Sequence, residues 1–341
     1  MNFASDTTAP VHPKILSALA KANDGYSASY GEDEWSRAAR DALAGVFETD
    51  LDVWLVASGT ASNALALSVL CPPTGAIACH REAHIERDER GAPEFFTGGG
   101  KLALLDGDHG RIDFGALERA VVANNPDFVH ETPLHALSLS NLTECGTAYS
   151  AEDLRARAAL AHAHGLRVHL DGARFANAVA SLGASPADLS WRAGVDVLSF
   201  GASKNGAIGC EAIVLFGEAR EAFAGLKVRA KRAGHMPAKL RFTAAQMCAY
   251  LEDGLWLELA GVANKAAAKL AASLEQACGA ELAHPLDGNQ LFVSLPQPVQ
   301  QRLSEAGARF YPWLDGSCRF VCSWSTTDED IHSLAEIARK S

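Results

Sequence analysis

The chain contains no CxxC pair, no GxGxxG and no unbroken apolar run long enough to cross a bilayer, and each absence removes a class of function. Without CxxC, and with Cys318 and Cys322 four apart and lacking a nearby histidine, neither a zinc ribbon nor a disulfide framework is expected. Without GxGxxG after a strand, a dinucleotide-binding module loses its main signature. The missing apolar run excludes a membrane-spanning helix. Basic residues are also in short supply: 30 Lys and Arg against 41 Asp and Glu give a net charge of −11, the wrong sign for a nucleic-acid partner. The opening MNFASDTTAP has neither a basic start nor an apolar core, so it does not read as a signal peptide. Internal repeats, low-complexity tracts and Pro/Gly hinges are absent too.

What remains is the composition of an ordinary soluble globular protein. Hydrophobic residues make up 48% and charged residues 21%, as in ordinary folded domains. At 341 residues the chain exceeds what one core usually holds, so a large domain with a smaller one is expected. The eight scattered cysteines, several inside apolar runs, read as buried reduced thiols of a cytoplasmic protein.

The most informative stretch runs from Val168 to Glu211. An apolar strand, Leu166 to Leu170, runs into Asp171-Gly172-Ala173-Arg174, and a second, Val195 to Phe200, runs into Gly201-Ala202-Ser203-Lys204-Asn205-Gly206. Short apolar runs separated by helical sequence read as neighbouring parallel strands, and in such sheets ligands sit at the carboxyl ends. A carboxylate at one strand end and a lysine past the next therefore face one crevice. Pyridoxal 5'-phosphate (PLP) needs that pair, a lysine for the Schiff base and an acid for the pyridine nitrogen.

Other segments are weaker signals that gain meaning beside this one. Ser58-Gly59-Thr60 turns the strand Val53 to Ala57 into a helix. Such a turn can be ordinary punctuation or a phosphate cup of free backbone amides. His84, just beyond the strand Ala76 to Cys79, reads as a surface histidine or as a ring lying flat on the cofactor with a nitrogen left for proton transfer. Tyr30, beside Gly31 in a loop, is a candidate contact. Lys227 to Arg241 forms a basic segment, either a solvated face or an anion site for a neighbouring subunit. Ser150-Ala151-Glu152-Asp153 is a helix-capping pattern, and helical sequence is expected from Glu218 to about Cys278. Strands near Gln290 to Leu295 and Ser317 to Ser323, with helices beside them, complete a small α+β domain.

Taken together, Ser5-Asp6-Thr7, Tyr30-Gly31-Glu32-Asp33, Ser58-Gly59-Thr60, Glu82-Ala83-His84, Leu170 to Arg174, the sequence around Lys204 and Arg319 to Trp324 resemble the L-threonine aldolase family over nearly the whole chain. The resemblance implies an α/β fold of the PLP-dependent transferase-like (aspartate aminotransferase, type I) class. Its large domain (1–250) has a mainly parallel sheet, and a small α+β domain (251–341) follows. It implies PLP on Lys204, with Asp171 at the pyridinium nitrogen and His84 stacked on the ring. Gly59 and Thr60 would hold the phosphate, with Arg241 from an adjacent subunit. Ser5, Tyr30, Arg174 and Arg319 would bind the substrate, with Ser5 and the two arginines taking its carboxylate, and Arg174 would also contact the cofactor. The implied reaction is cleavage of β-hydroxy-α-amino acids to glycine and an aldehyde, the alternative being another PLP lyase of this fold. The implied assembly is a cytoplasmic homotetramer, a dimer of dimers with shared sites, acting on small molecules and not on nucleic acid or membrane, with no metal site. One departure stands out. Many family members carry a histidine in the segment that here reads Ser140 to Thr147, where there is none. That leaves His84, through water, as the expected base.

Overall fold

The computed structural model describes residues 1–313 and 315–339. Seven strands form the large sheet: β1 (Leu51–Val56), β2 (Ala76–His80), β3 (Lys101–Leu105), β4 (Leu134–Ser140), β5 (Arg167–Gly172), β6 (Val197–Gly201) and β7 (Glu211–Phe216). Their spatial order is β1-β7-β6-β5-β4-β2-β3. All neighbouring pairs from β3 to β6 are parallel, and β7 runs antiparallel to both β6 and β1. Strands β6 and β7 are buried at every position, which is why they read as continuous apolar runs instead of alternating ones.

The expected neighbours β5 and β6 are adjacent and parallel, with Asp171 level with Ser199. A floor of aromatic rings lies against them. Phe200 packs against Phe47 and Phe175 at centroid distances of 5.9 and 6.0 Å, and against Trp256 and Tyr250 at 5.6 and 6.1 Å. Such aromatic contacts anchor β6 immediately before the loop that carries Lys204.

The long helical run expected from Glu218 to Cys278 is divided. Helices Phe223–Arg232, Arg241–Leu251 and Leu255–Cys278 are separated at Gly234, with φ +77°, and at the turn Glu252–Gly254. Glycine and a left-handed Asp253 supply backbone that an α-helix cannot continue. The last helix packs Trp256 and Ala260 into the large core and Ala266 to Leu274 into the small one. The capping box at Ser150 forms as its spacing predicts, with Asp153 the reciprocal partner.

The small sheet comprises β8 (Glu281–Leu282), β9 (Gln290–Ser294), β10 (Tyr311–Pro312) and β11 (Cys318–Val321), ordered β10-β11-β9-β8 and antiparallel throughout. The start of the chain is stitched to it. The Phe3 N–H donates to Arg309 O and the Val321 N–H to Phe3 O, both at 2.8 Å, and Phe3 is buried against Phe320. That anchorage delivers the next residues, a 3-10 turn Asp6–Thr8, to the carboxyl end of the large sheet. All eight cysteines are unpaired.

Candidate active site

Helix starts, strand ends and one loop meet around a cavity of about 310 Å³ at the carboxyl ends of β4, β5 and β6. Asp171, at the end of β5, and Lys204, in the turn after β6, both line it. The lysine's loop is held rigidly. Asn205 Nδ2 donates to Tyr250 Oη and to Trp256 O, both at 2.8 Å, and Gly206 takes φ +103°, a conformation open to glycine.

The two charges respond to the same burial in opposite ways. Burial and then the Arg174 cation lower the Lys204 ammonium below its ordinary value, which raises the fraction present as the nucleophilic amine. For Asp171, burial pushes upward but is more than offset by His84, by the Ala173 N–H and by Lys204, so its carboxyl is held below the ordinary range and stays ionised. Asp171 Oδ1 accepts from Ala173 N–H at 2.9 Å and Oδ2 from Asn63 Nδ2 at 2.8 Å. Below it on β5, His169 lies between Ser138 and Ser199 and is pushed down to about 4 by burial, hence neutral.

His84 begins a short helix, His84–Arg87, and lines the cavity. Its Nδ1 lies 2.7 Å from Glu89 Oε1. That oxygen already accepts from Asn63 Nδ2, and with both groups aimed at it Nδ1 is the atom that carries the proton. Burial pulls the imidazole down, but the Glu89 bond and the Asp171 charge outweigh it, so His84 is raised above its ordinary value. One ligand atom each of His84, Glu89 and Asp171 fall within 4.8 Å of one another, a spacing a cation could use. The Asn63 amide donates to both carboxylates, however, and accounts for the cluster without one.

At the opposite wall, helix Gly59–Leu70 starts at Ser58, whose hydroxyl accepts from Ala61 N–H at 3.2 Å. The N–H groups of Gly59 and Thr60 have no intrahelical acceptor at such a start, and both residues line the cavity. Such a corner could hold an anion.

The third corner is cationic. Arg174 also lines the cavity. Its Nε donates to Asp6 Oδ2 at 2.7 Å and its Nη2 to Asp6 Oδ1 at 2.9 Å, and Asn289 Nδ2 donates to the same carboxylate at 3.0 Å. Burial pushes Asp6 upward, yet Arg174 overcomes it and holds the carboxyl below the ordinary range. Arg319, on β11, lies over the rings of Trp313 and Tyr311 at 4.9 and 5.2 Å. Among the described residues it has no carboxylate partner, and its Nε is buried without an acceptor. Burial and Arg174 lower its pKa. Two guanidiniums and one carboxylate leave one positive charge, which suits one further carboxylate.

Replacing Asp6 by Asn is expected to cost about 3–5 kcal/mol, because it leaves a buried guanidinium uncompensated. Since the Asp6 folded value is depressed, this stabilisation is complete above the ordinary aspartate range and is lost as pH falls through the depressed value. Melting temperatures of the two proteins should therefore differ at neutral pH and converge in strong acid.

The residues read from sequence fall into two groups. Gly59, Thr60, His84, Asp171, Arg174 and Lys204 are brought together in one cavity, with Arg319 beside it. Ser5 is not among the lining residues. Its Oγ caps the 3-10 turn, accepting from Thr7 N–H at 3.2 Å and from Thr7 Oγ1 at 2.8 Å, and it is Thr7 that lines the cavity. Tyr30, at φ 61° and exposed, lies outside it with Lys231 Nζ 4.6 Å from its ring centre. Arg241, heading helix Arg241–Leu251, is also outside this chain's cavity, its Nε buried without a partner. Sequence reading assigned no role to Asp6, Asn63, Glu89, Glu144 or Glu211. Only Asp6 carried a usable signal, an acid in the same short segment as Ser5.

Residues 2–296 match the beta-eliminating lyase family. The chain is 40% identical to a low specificity L-threonine aldolase of Pseudomonas aeruginosa, over 99% of this chain and 96% of that one. It belongs to the beta-eliminating lyase family, in its threonine aldolase branch. The threonine aldolase of Leishmania major superimposes with a TM-score of 0.91 at 31% identity, covering 99% of this chain and 98% of the other. A serine palmitoyltransferase variant of S. paucimobilis, solved with a bound PLP-myriocin aldimine, shares the fold at a TM-score of 0.70 and 15% identity, covering 99% and 86%. The fold of this family member is thus that of the type I PLP enzymes.

Proposed function

We propose that the chain is a PLP-dependent aldolase that cleaves L-threonine, L-allo-threonine and related β-hydroxy-α-amino acids, such as phenylserine, to glycine and an aldehyde. The observation that carries this reading is a single cavity holding Lys204 and Asp171 beside a cationic corner one charge short of neutrality. Its donors suit the cofactor. Asp171 is ionised and retains lone-pair capacity for a pyridinium N–H, Lys204 is a buried amine, and the Gly59–Thr60 helix start suits a phosphate.

When bound, PLP supplies an electron sink for the pair released from the Cα–Cβ bond. The protein supplies orientation and protons. Asp171 would face the pyridine nitrogen with its negative charge, and His84 would provide a flat cover fixed by Glu89. Arg174, held by Asp6, and Arg319 would grip the substrate carboxylate, so that the bond to the hydroxylated carbon is the one set for cleavage. Lys204, with its lowered pKa, would carry the cofactor between turnovers and be displaced by the substrate amine.

Tyr30 and Arg241 are proposed to complete the site of a neighbouring subunit in a homotetramer, which accords with their places outside this chain's own cavity. The cationic surface near Arg241 suits the phosphate. A cytoplasmic location is proposed from eight unpaired cysteines. No helix among the described residues is long and apolar enough to cross a membrane.

The test is the absorbance of the purified protein before and after borohydride, followed by an acetaldehyde and glycine assay with L-threonine. A visible band that borohydride removes, fixing cofactor mass on the Lys204 peptide, is expected together with acetaldehyde. A coloured protein that releases no aldehyde would move the reading to another lyase of the beta-eliminating kind. A colourless protein that PLP cannot reconstitute would end it.

A further inference from the structure

Resting on that reading, we propose that Glu144 is the catalytic base that takes the β-hydroxyl proton of the substrate. Glu144 lies in the segment that follows β4 and contains no histidine. It lines the cavity that holds Lys204 and also an adjoining one of about 390 Å³ that includes Glu82, Asp88 and Trp313. It therefore stands in the wall between the amino-acid half of the site and a second space able to take an aldehyde fragment. Its Oε1 is fixed, accepting from the His84 backbone N–H at 2.7 Å and from Ser140 Oγ at 3.2 Å. Its Oε2 is buried with no hydrogen-bond partner among the described residues. A buried acceptor left unpaired is costly, and a substrate hydroxyl would satisfy it.

His84, the base expected from the sequence, is less suited. Its Nδ1 is bound to Glu89 and its raised pKa favours the protonated form, which has no lone pair to offer. Glu144 is pushed up to about 7 by burial and by the Asp171 charge, close to the value at which a general base works best in neutral solution. The charged and titratable groups around it are Asp171 on β5, His84, the Glu82, Glu86, Arg87 and Asp88 side chains of the adjoining cavity, Cys79 on β2 and the adjacent Cys145. Burial keeps the two thiols neutral at that pH.

The step balances. Glu144 takes the hydroxyl proton, the O–H electron pair becomes the second C=O bond, and the Cα–Cβ bond breaks with its pair passing to the Cα side. The aldehyde leaves with one hydrogen fewer, Glu144 releases its proton to solvent, and Cα takes one proton from solvent in becoming glycine, so no net proton is gained or lost.

The test compares holoenzyme and Glu144→Gln in two reactions: cleavage of L-threonine, and exchange of the glycine Cα hydrogens with deuterated water followed by NMR. Exchange needs Lys204 and the cofactor but involves no β-hydroxyl. The ratio of cleavage to exchange is expected to fall about 100-fold or more. In the wild type, kcat/KM for threonine should rise with pH through about 7, a limb that Glu144→Gln loses and His84→Asn keeps. Cleavage by Glu144→Gln within tenfold of wild type would overturn the proposal, as would a parallel loss of both reactions or disappearance of the limb in His84→Asn. A wild type that exchanges glycine but releases no aldehyde would overturn the functional reading as well, a result distinct from the others.

Discussion

Replacing Lys204 by alanine is expected to abolish detectable turnover of threonine and to remove the borohydride-stable attachment of cofactor. Two features lead to this expectation. Lys204 is the buried amine of the cavity, and burial with the Arg174 cation lowers its pKa, the condition for a nucleophilic lysine. The rest of the cavity does not depend on it for shape, since the loop is held by Asn205 through Tyr250 and Trp256. The Gly59–Thr60 corner and Asp171 should then still bind PLP noncovalently, leaving a coloured protein from which the cofactor dialyses away. The removal has an electrostatic consequence as well. Glu211, already pushed up to about 7 by burial, is held down in part by Lys204, and without the lysine it should be protonated over a wider pH range. Turnover comparable to wild type in Lys204→Ala would refute the assignment outright.

Asp171→Asn is expected to reduce cleavage by about 10²–10³-fold, the usual cost of removing one preorganised charge or donor aimed at developing charge. The amide is close in shape to the carboxylate, so the bond from Ala173 N–H can persist, yet it carries no charge to keep a pyridine nitrogen protonated. Two further signals should accompany the loss. The absorbance of bound cofactor should shift, because its ring nitrogen loses its counter-charge. His84 should titrate at lower pH, because the Asp171 charge helps to raise it, and NMR of the imidazole would report this. A variant with near-normal rates would show that the carboxylate has no part in the electron sink.

Much of this architecture was legible along the chain. Strand β6 is short, apolar and flanked by Gly-containing turns, while β5 sets Val168 and Leu170 among Arg167, His169 and Asp171; both strands are buried at nearly every position. Strand ends face one crevice by the geometry of parallel sheets, so the sequence alone pairs Asp171 with Lys204. The Ser150 capping box and the Ser58 helix start are likewise contained within a few residues. The long helical expectation between Glu218 and Cys278 failed because composition there is helical while single residues, Gly234 and Asp253, take left-handed backbone that a propensity reading averages away.

The charge network of the site belongs to the tertiary structure. Asp6 and Arg174 meet across 168 residues, and Asn289 reaches the same carboxylate from 283 residues away. Neither distance leaves a trace in spacing. The meeting depends on Phe3 pairing with the small sheet, which swings the N-terminal turn over the cavity. The same holds for Glu89 beneath His84 and for Glu144 beside it. Each is one acid in a locally charged or polar segment, and only burial, which raises their pKa values, separates them from the solvated acids nearby. Residue identity and local pattern were sufficient to pair Asp171 with Lys204, the two proposed cofactor anchors, because strand ends are local. The groups that tune and balance those anchors emerged only with packing, because a pKa is set by the surroundings a side chain is folded into and not by its neighbours in sequence.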